Sequence, residues 1–127
     1  MRFLSKLDIL SVHARLIAET GGSAGLQNEG SLESALAAPE NRYRYENADI
    51  VTCAATYAFH LTQAHSFVDG NKRIAAAVTE VFLESNGVQL TMDNGQIVSL
   101  FIKIASGSLD RCGVERLLRD NTAELSR

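Results

Sequence analysis

Apolar and polar positions recur at helical spacing along most of the chain, and the pattern predicts a nearly all-helical protein. The first helix is expected from about Ser5 to Thr20, with Leu7, Leu10, Ala14 and Ile17 as its apolar stripe. Ser5 followed by Asp8 resembles a capping box, and Gly21-Gly22 supplies the stop. Residues 23–30 read as a loop. A short second helix carries Leu32, Ala35 and Leu36 on one face and is expected to end before Pro39, the single proline. Residues 39–47, PENRYRYEN, then read as a polar connector with two aromatics.

The third helix, about Ala48 to Ala64, has a different pattern. Its polar residues Thr52, Thr56, His60 and Gln63 fall on one narrow stripe of an otherwise apolar cylinder, which predicts a central, buried helix. The fourth helix spans about Asn71 to Asn86, with Ile74, Ala77, Val78, Val81 and Phe82 as its core face and Gly87 just past its end. Val88 to Thr91 is a short extended piece. A fifth helix, about Gly95 to Ala105, carries Val98, Leu100, Phe101, Ile102 and Ile104, and Gly107 ends it. A last helix from about Val114 carries Leu117 and Leu118, and the tail after Asn121 is expected to fray.

Composition narrows the picture. A chain of 127 residues supports one domain, and it buries enough surface, roughly two-thirds, to fold without a disulfide or metal. A net charge of −3 argues against broad coating of nucleic acid, though a local basic site is compatible with it. No apolar run approaches the roughly 20 residues of a membrane span, and MRFLSKLDIL lacks the core of an export signal. A cytoplasmic location is therefore expected, with no direct nucleic-acid or membrane contact. Cys53 and Cys112 read as buried thiols. His13 and His60 read as helix-surface residues without a role.

The chemistry concentrates between the two central helices, in His65-Ser66-Phe67-Val68-Asp69-Gly70-Asn71-Lys72-Arg73. Lys72 and Arg73 fall in the first turn of the fourth helix, where cations oppose the macrodipole at a cost of a few tenths to about 1 kcal/mol each. Bound anions offset such a cost. Gly70 and Asn71 precede that turn, and a glycine beside free helix-start N–H groups makes a phosphate cradle. His65 is suited to accept a proton near neutral pH. Asp69 is suited to Mg²⁺, which takes one or two carboxylates plus substrate phosphates. Singly, Asp69 or Asn71 reads as an N-cap, His65 as a loop histidine, and Lys72 or Arg73 as a surface cation. Phe67 reads as a core anchor. The whole constellation on one loop points to phosphate handling.

HSFVDGNKR resembles the signature loop of the Fic/Doc family, and its NKR ending is similar to the death-on-curing (Doc) branch. Fic-type nucleotidyl transferases carry HPFxxGNGR there. LDILSVHARLIAETGG, GLQNEGSLESALAAPE and FLESNGVQL are also similar to that branch in type and order, so the resemblance covers most of the chain. Ser66 stands in place of the common proline, and Lys72 in place of the glycine of nucleotidyl-transferring members. The resemblance implies an all-α, compact bundle of about six helices, with the active loop between two central helices.

It also implies roles. His65 is the catalytic histidine, Asp69 holds Mg²⁺ on the nucleotide phosphates, Gly70 and Asn71 form the anion turn, and Arg73 clamps phosphate oxygens. Lys72 is the lysine of the Doc branch, where ATP presents its terminal phosphoryl group to the target. The implied activity is that of a toxin kinase acting on a threonine of elongation factor Tu and stopping translation. Fic-type AMP transfer and a catalytically silent binding module are the alternatives; the intact His65, Asp69 and Arg73 weigh against the silent module. Asn41 to Asn47 falls where the family places its target-positioning flap, although Tyr43 and Tyr45 read equally as packing aromatics. Some Fic proteins carry a self-inhibitory helix with Ser or Thr four residues before Glu-Gly or Glu-Asn. Here Gly25 precedes Glu29-Gly30 and Arg42 precedes Glu46-Asn47, so a separate, Phd-like antitoxin is expected.

Overall fold

Six helices form among the described residues: α1 (Lys6–Thr20), α2 (Glu29–Glu46), α3 (Ile50–Ala64), α4 (Asn71–Ser85), α5 (Asn94–Ala105) and α6 (Arg111–Asp120). The structure is a computed structural model that describes residues 1–125. The fold is all-α, with one small accessory pair of strands.

Helix α3 is central, as its pattern requires. Cys53, Ala54, Ala55, Tyr57 and Ala58 are fully buried, and the helix packs against α2, α4, α5 and α6. Its polar stripe ties it to those neighbours. Thr52 Oγ1 donates to Glu115 at 2.8 Å, Arg42 donates to Thr56 Oγ1 at 3.1 Å, and Gln63 Nε2 donates to the Ile104 carbonyl at 2.7 Å. His60 belongs to the same stripe but is half-buried, not a surface residue, and its Nε2 has no partner among the described residues. Burial lowers its proton affinity, and Arg111 and Arg42 lower it further, which favours the neutral ring.

Four features depart from the sequence pattern. Helix α2 does not stop before Pro39; it continues to Glu46 and ends at Asn47 in a left-handed conformation. A proline within a helix costs about 3 kcal/mol. Here Pro39 is itself buried and extends the face of Leu32, Ala35 and Leu36, so packing against α3 offsets the missing hydrogen bond. Residues 39–46 are therefore helix rather than connector. In α1 the buried face is Ile9, His13 and Ile17, while Leu7 is 78% exposed and Ala14 is also exposed. The buried face is rotated from the apolar stripe because it includes His13, a polar residue at core spacing. In α4 the face is Ile74, Ala75, Val78, Thr79, Phe82 and Leu83, with Val81 turned outward.

The chain end is the fourth departure. β2 (Thr122–Glu124) pairs antiparallel with β1 (Val88–Leu90), matching Leu90 with Thr122, so Thr122–Glu124 is held rather than frayed, and the last two residues of the expected tail lie outside the described residues. Helix α6 begins at Arg111, capped by Asp110, three residues before the first clear apolar signal at Val114. Cys112 in its first turn is exposed, contrary to expectation, whereas Cys53 is buried and its thiol is pushed up to about 11 by desolvation. On α5, Leu100, Phe101 and Ile104 face the core while Val98 and Ile102 remain exposed. No described helix is long and apolar enough to cross a membrane.

Candidate active site

The loop between α3 and α4 starts where α3 ends. His65 caps α3 with left-handed backbone angles, φ 47° and ψ 45°, and its side chain is exposed. Such a conformation in a non-glycine residue is uncommon and strained, though histidine tolerates it better than most. Gln27 Nε2 donates to the His65 carbonyl at 3.0 Å. Ser66 is buried, its hydroxyl lies 2.8 Å from that of Ser31, and its carbonyl accepts the N–H groups of Gln27 and Asn28. Val68 N–H donates to the Gly25 carbonyl at 3.1 Å, and Leu26 bridges to Phe67. The loop between α1 and α2 thus runs antiparallel to the candidate active loop.

That pairing corrects the expected place of the flanking segment. Residues 41–47 end α2 and lead into the start of α3, while His65 stands at its far end. A 15-residue helix is about 22 Å long, so residues 41–47 do not border His65. Tyr43 instead packs on Phe3 at 5.7 Å, and Tyr45 is 77% exposed.

Phe67 is the anchor that the pattern predicts, 2% exposed. The Asn71 side chain clamps it, accepting the Phe67 N–H at 3.0 Å and donating to the Phe67 carbonyl at 2.9 Å. With its amide committed in this way, Asn71 has its backbone N–H to offer an anion.

Helix α4 starts at Gly70, in the left-handed region at φ 76°, and no side chain caps it. The other five helices are each capped by a side chain: Ser5, Asn28, Asp49, Asp93 and Asp110. The first turn of α4 therefore keeps N–H groups free at the positive end of its dipole. Lys72 is exposed there and makes no ion pair among the described residues. Arg73 is placed differently. Its Nη1 donates to Thr20 Oγ1 and, at 3.2 Å, to the Gly21 carbonyl, while Nη2 lies 3.6 Å from Asp69 Oδ1. The same cation that opposes the dipole of α4 sits at the negative end of α1, where it is favourable.

The Asp69 carboxylate accepts the Gly70 N–H at 2.8 Å through Oδ1 and the Ser23 N–H at 3.4 Å through Oδ2. Gly22, at φ 112°, lies against it: a Cβ there would come within 2.5 Å of Oδ2. Only a glycine allows the backbone so close. Asp69 is half-exposed, and no group of three or more metal-ligating side chains exists among the described residues. A lone carboxylate does not make a zinc cage, but it fits Mg²⁺ that shares its shell with phosphates and water. Beside Lys72 and Arg73 a groove of about 180 Å³ opens between α4 and α5, lined by Ala76, Ile97, Val98, Phe101 and Ile102.

The loop thus brings all six expected site residues, His65, Asp69, Gly70, Asn71, Lys72 and Arg73, to one end of the α3–α4 pair. The profile of the Fic/DOC family matches residues 3–83, a span that includes this loop. The chain belongs to the Fic/DOC family. It is 31% identical over 120 residues to the protein kinase doc of Escherichia phage P1, covering 94% of each chain. It is 33% identical over 93 residues to the toxin Doc of Mycolicibacterium smegmatis, covering 72% of this chain and 69% of that one.

Two parts of this family site were not assigned from the sequence. Residues 21–28 carry no chemistry-bearing motif, and long-range contacts such as those of Gly25 and Leu26 with Val68 and Phe67 place them here. His13 is 3% exposed and stacks on Phe67. Its spacing of four from both Ile9 and Ile17 is a sequence signal for the core face, opposed by its polarity.

Proposed function

We propose that this member of the Fic/DOC family is a Doc-type toxin that transfers the terminal phosphoryl group of ATP to a protein hydroxyl. The observation that carries the reading is the start of α4, the one helix start among the described residues left without a side-chain cap, with Lys72 and Arg73 in its first turn. The relative named protein kinase doc supports the same reaction. The target hydroxyl, a threonine of elongation factor Tu, attacks the terminal phosphorus. The bond to the bridging oxygen breaks, ADP leaves, and the hydroxyl proton goes to His65. Arg73 and the free N–H groups of α4 steady the phosphate oxygens, and Lys72 draws the more highly charged end of the nucleotide toward the target. Asp69 would hold Mg²⁺, which would supply charge neutralisation on the phosphates. Such chemistry is mostly positioning and electrostatics, so a short loop suffices.

The protein would act in the cytoplasm as one half of a toxin–antitoxin pair. A Phd-like antitoxin would fold a helix onto its surface, and the apolar groove beside Lys72, with Val98 and Ile102 exposed, suits such a helix. The decisive experiment supplies purified target with ATP labelled on either its terminal or its innermost phosphate. Label from the terminal phosphate is expected. Label from the innermost phosphate would replace the kinase with a nucleotidyl transferase, and no label from either would leave a binding module.

A further inference from the structure

His13 is the one buried imidazole in contact with the candidate loop, and the family reading gives it no task. Its ring stacks on Phe67 with centroids 3.8 Å apart and planes within 15°. Its Nε2 lies 2.8 Å from the Asp69 carbonyl oxygen. A carbonyl only accepts, so the proton must sit on Nε2. The other half of the same peptide unit, the Gly70 N–H, donates to Asp69 Oδ1 at 2.8 Å. One peptide plane is therefore held at both ends, by an imidazole from α1 at its oxygen and by the Asp69 carboxylate at its nitrogen.

Space around that plane is tight. A Cβ on Gly70 would lie 3.2 Å from Ile17 Cδ1 and 3.5 Å from His13 Nε2. If the plane turned, the Gly70 N–H would leave the carboxylate, and Asp69 would lose its fixed direction. We propose that His13 is a positioning residue: through the Asp69–Gly70 peptide it aims the Asp69 carboxylate and the open start of α4 at a metal-bound phosphate. The proposal rests on the phosphate-handling reading of the loop for its consequence, but not for the contact itself.

Two substitutions separate the donor from the ring. His13→Phe keeps an aromatic face for Phe67 and removes the donor. His13→Gln places an amide N–H where Nε2 stands and removes the ring. The first measurement is the Gly70 amide resonance and its exchange protection in the full chain without ligand. His13→Phe should shift that resonance and speed its exchange, and His13→Gln should restore both. The second is calorimetric titration with MgATP. Outer-shell partners of a metal site typically contribute about ten- to a hundred-fold, so His13→Phe should weaken binding by that factor at unchanged helix content. His13→Gln should recover most of it.

A merely structural histidine gives the opposite pattern, with His13→Gln the more damaging variant and the Gly70 amide unmoved in His13→Phe. That result overturns the proposal. Wild-type protein that fails to bind MgATP would sink the phosphate reading and the aiming role with it, while the Gly70 measurement would still decide the contact. Should His13→Phe not fold, nitrogen NMR of the wild-type ring decides: a proton on Nε2 is expected, and a bare Nε2 removes the hydrogen bond and the proposal.

Discussion

The two central helices begin in opposite ways. Helix α3 starts at Asp49, whose carboxylate accepts the Thr52 N–H at 2.9 Å and pairs with Arg119 at 3.0 Å. Arg119 also reaches Glu115 at 3.1 Å, and Thr52 donates to Glu115, so a closed polar network covers the helix end. A negative charge stands at a positive dipole end, and the charged side chains there are paired with one another rather than left open to a ligand. Helix α4 starts at Gly70, without a side-chain cap and with two cations against its dipole. The first start is finished for stability. The second is left incomplete, and the missing partner is the anion that the site would bind.

The comparison breaks most visibly at His65. A left-handed residue stands ahead of each start, Asn47 at φ 54° before α3 and His65 at φ 47° before α4, but only His65 is a candidate base. His65→Gly should relieve the strain of its left-handed backbone and raise stability by about 1 kcal/mol. It should also remove the general base and lower phosphoryl transfer by roughly a hundred- to ten-thousand-fold. Denaturant unfolding and a transfer assay on the same preparation check both halves. A variant that kept its turnover would take His65 out of the mechanism.

Lys72→Glu sharpens the contrast at the second helix start. A hydrogen bond to a charged group is worth about 1.5–3 kcal/mol, so kcat/KM should fall by roughly ten- to a hundred-fold or more. Stability should rise by about 0.3–1 kcal/mol, since an acid there agrees with the dipole. A variant that lost both activity and stability would show that the first turn of α4 is not electrostatically frustrated.

The same kind of change at α3 should act in the reverse sense. Asp49→Ala removes an N-cap and should cost about 1 kcal/mol in unfolding free energy, with phosphoryl transfer per folded molecule unchanged. Its acid behaviour is the smallest effect. Hydrogen bonds from Arg119 hold the Asp49 carboxyl down from its ordinary 3.8 to about 2, so its folded form binds protons less readily than its unfolded form. That contribution is complete above about pH 4 and is lost as the pH falls from about 4 to 2. Asp49→Asn, which keeps the cap, should show a shallower loss of stability over that window in acid titration followed by circular dichroism.

The grouping of the candidate site residues was legible in the sequence because His65 through Arg73 are contiguous. One turn of chain brings them together whatever the rest of the fold does. The capping box of Ser5 and Asp8 was legible for the same local reason, and both of its hydrogen bonds are present. The central burial of α3 was legible because only Thr52, Thr56, His60 and Gln63 interrupt its apolar surface. Pro39 misled, since the local cost of a helical proline is visible in the sequence and the burial that offsets it is not.

His13 misled in a related way. A histidine at a spacing of four from two isoleucines is core by position and surface by polarity, and only the ring of Phe67 and the carbonyl of Asp69 decide between them. Thr122–Glu124 becomes a strand because Val88–Leu90 offers it an edge. The sequence by itself determined the helical character, the Ser5–Asp8 cap and the grouping of His65 through Arg73 on one loop, all of which depend on neighbours within a few residues. The tertiary structure alone decided which face of α1 is buried, that residues 21–28 border the active loop, and that Arg73 answers two dipoles at once. Those outcomes depend on contacts between positions dozens of residues apart, and local periodicity carries no information about which partners will meet.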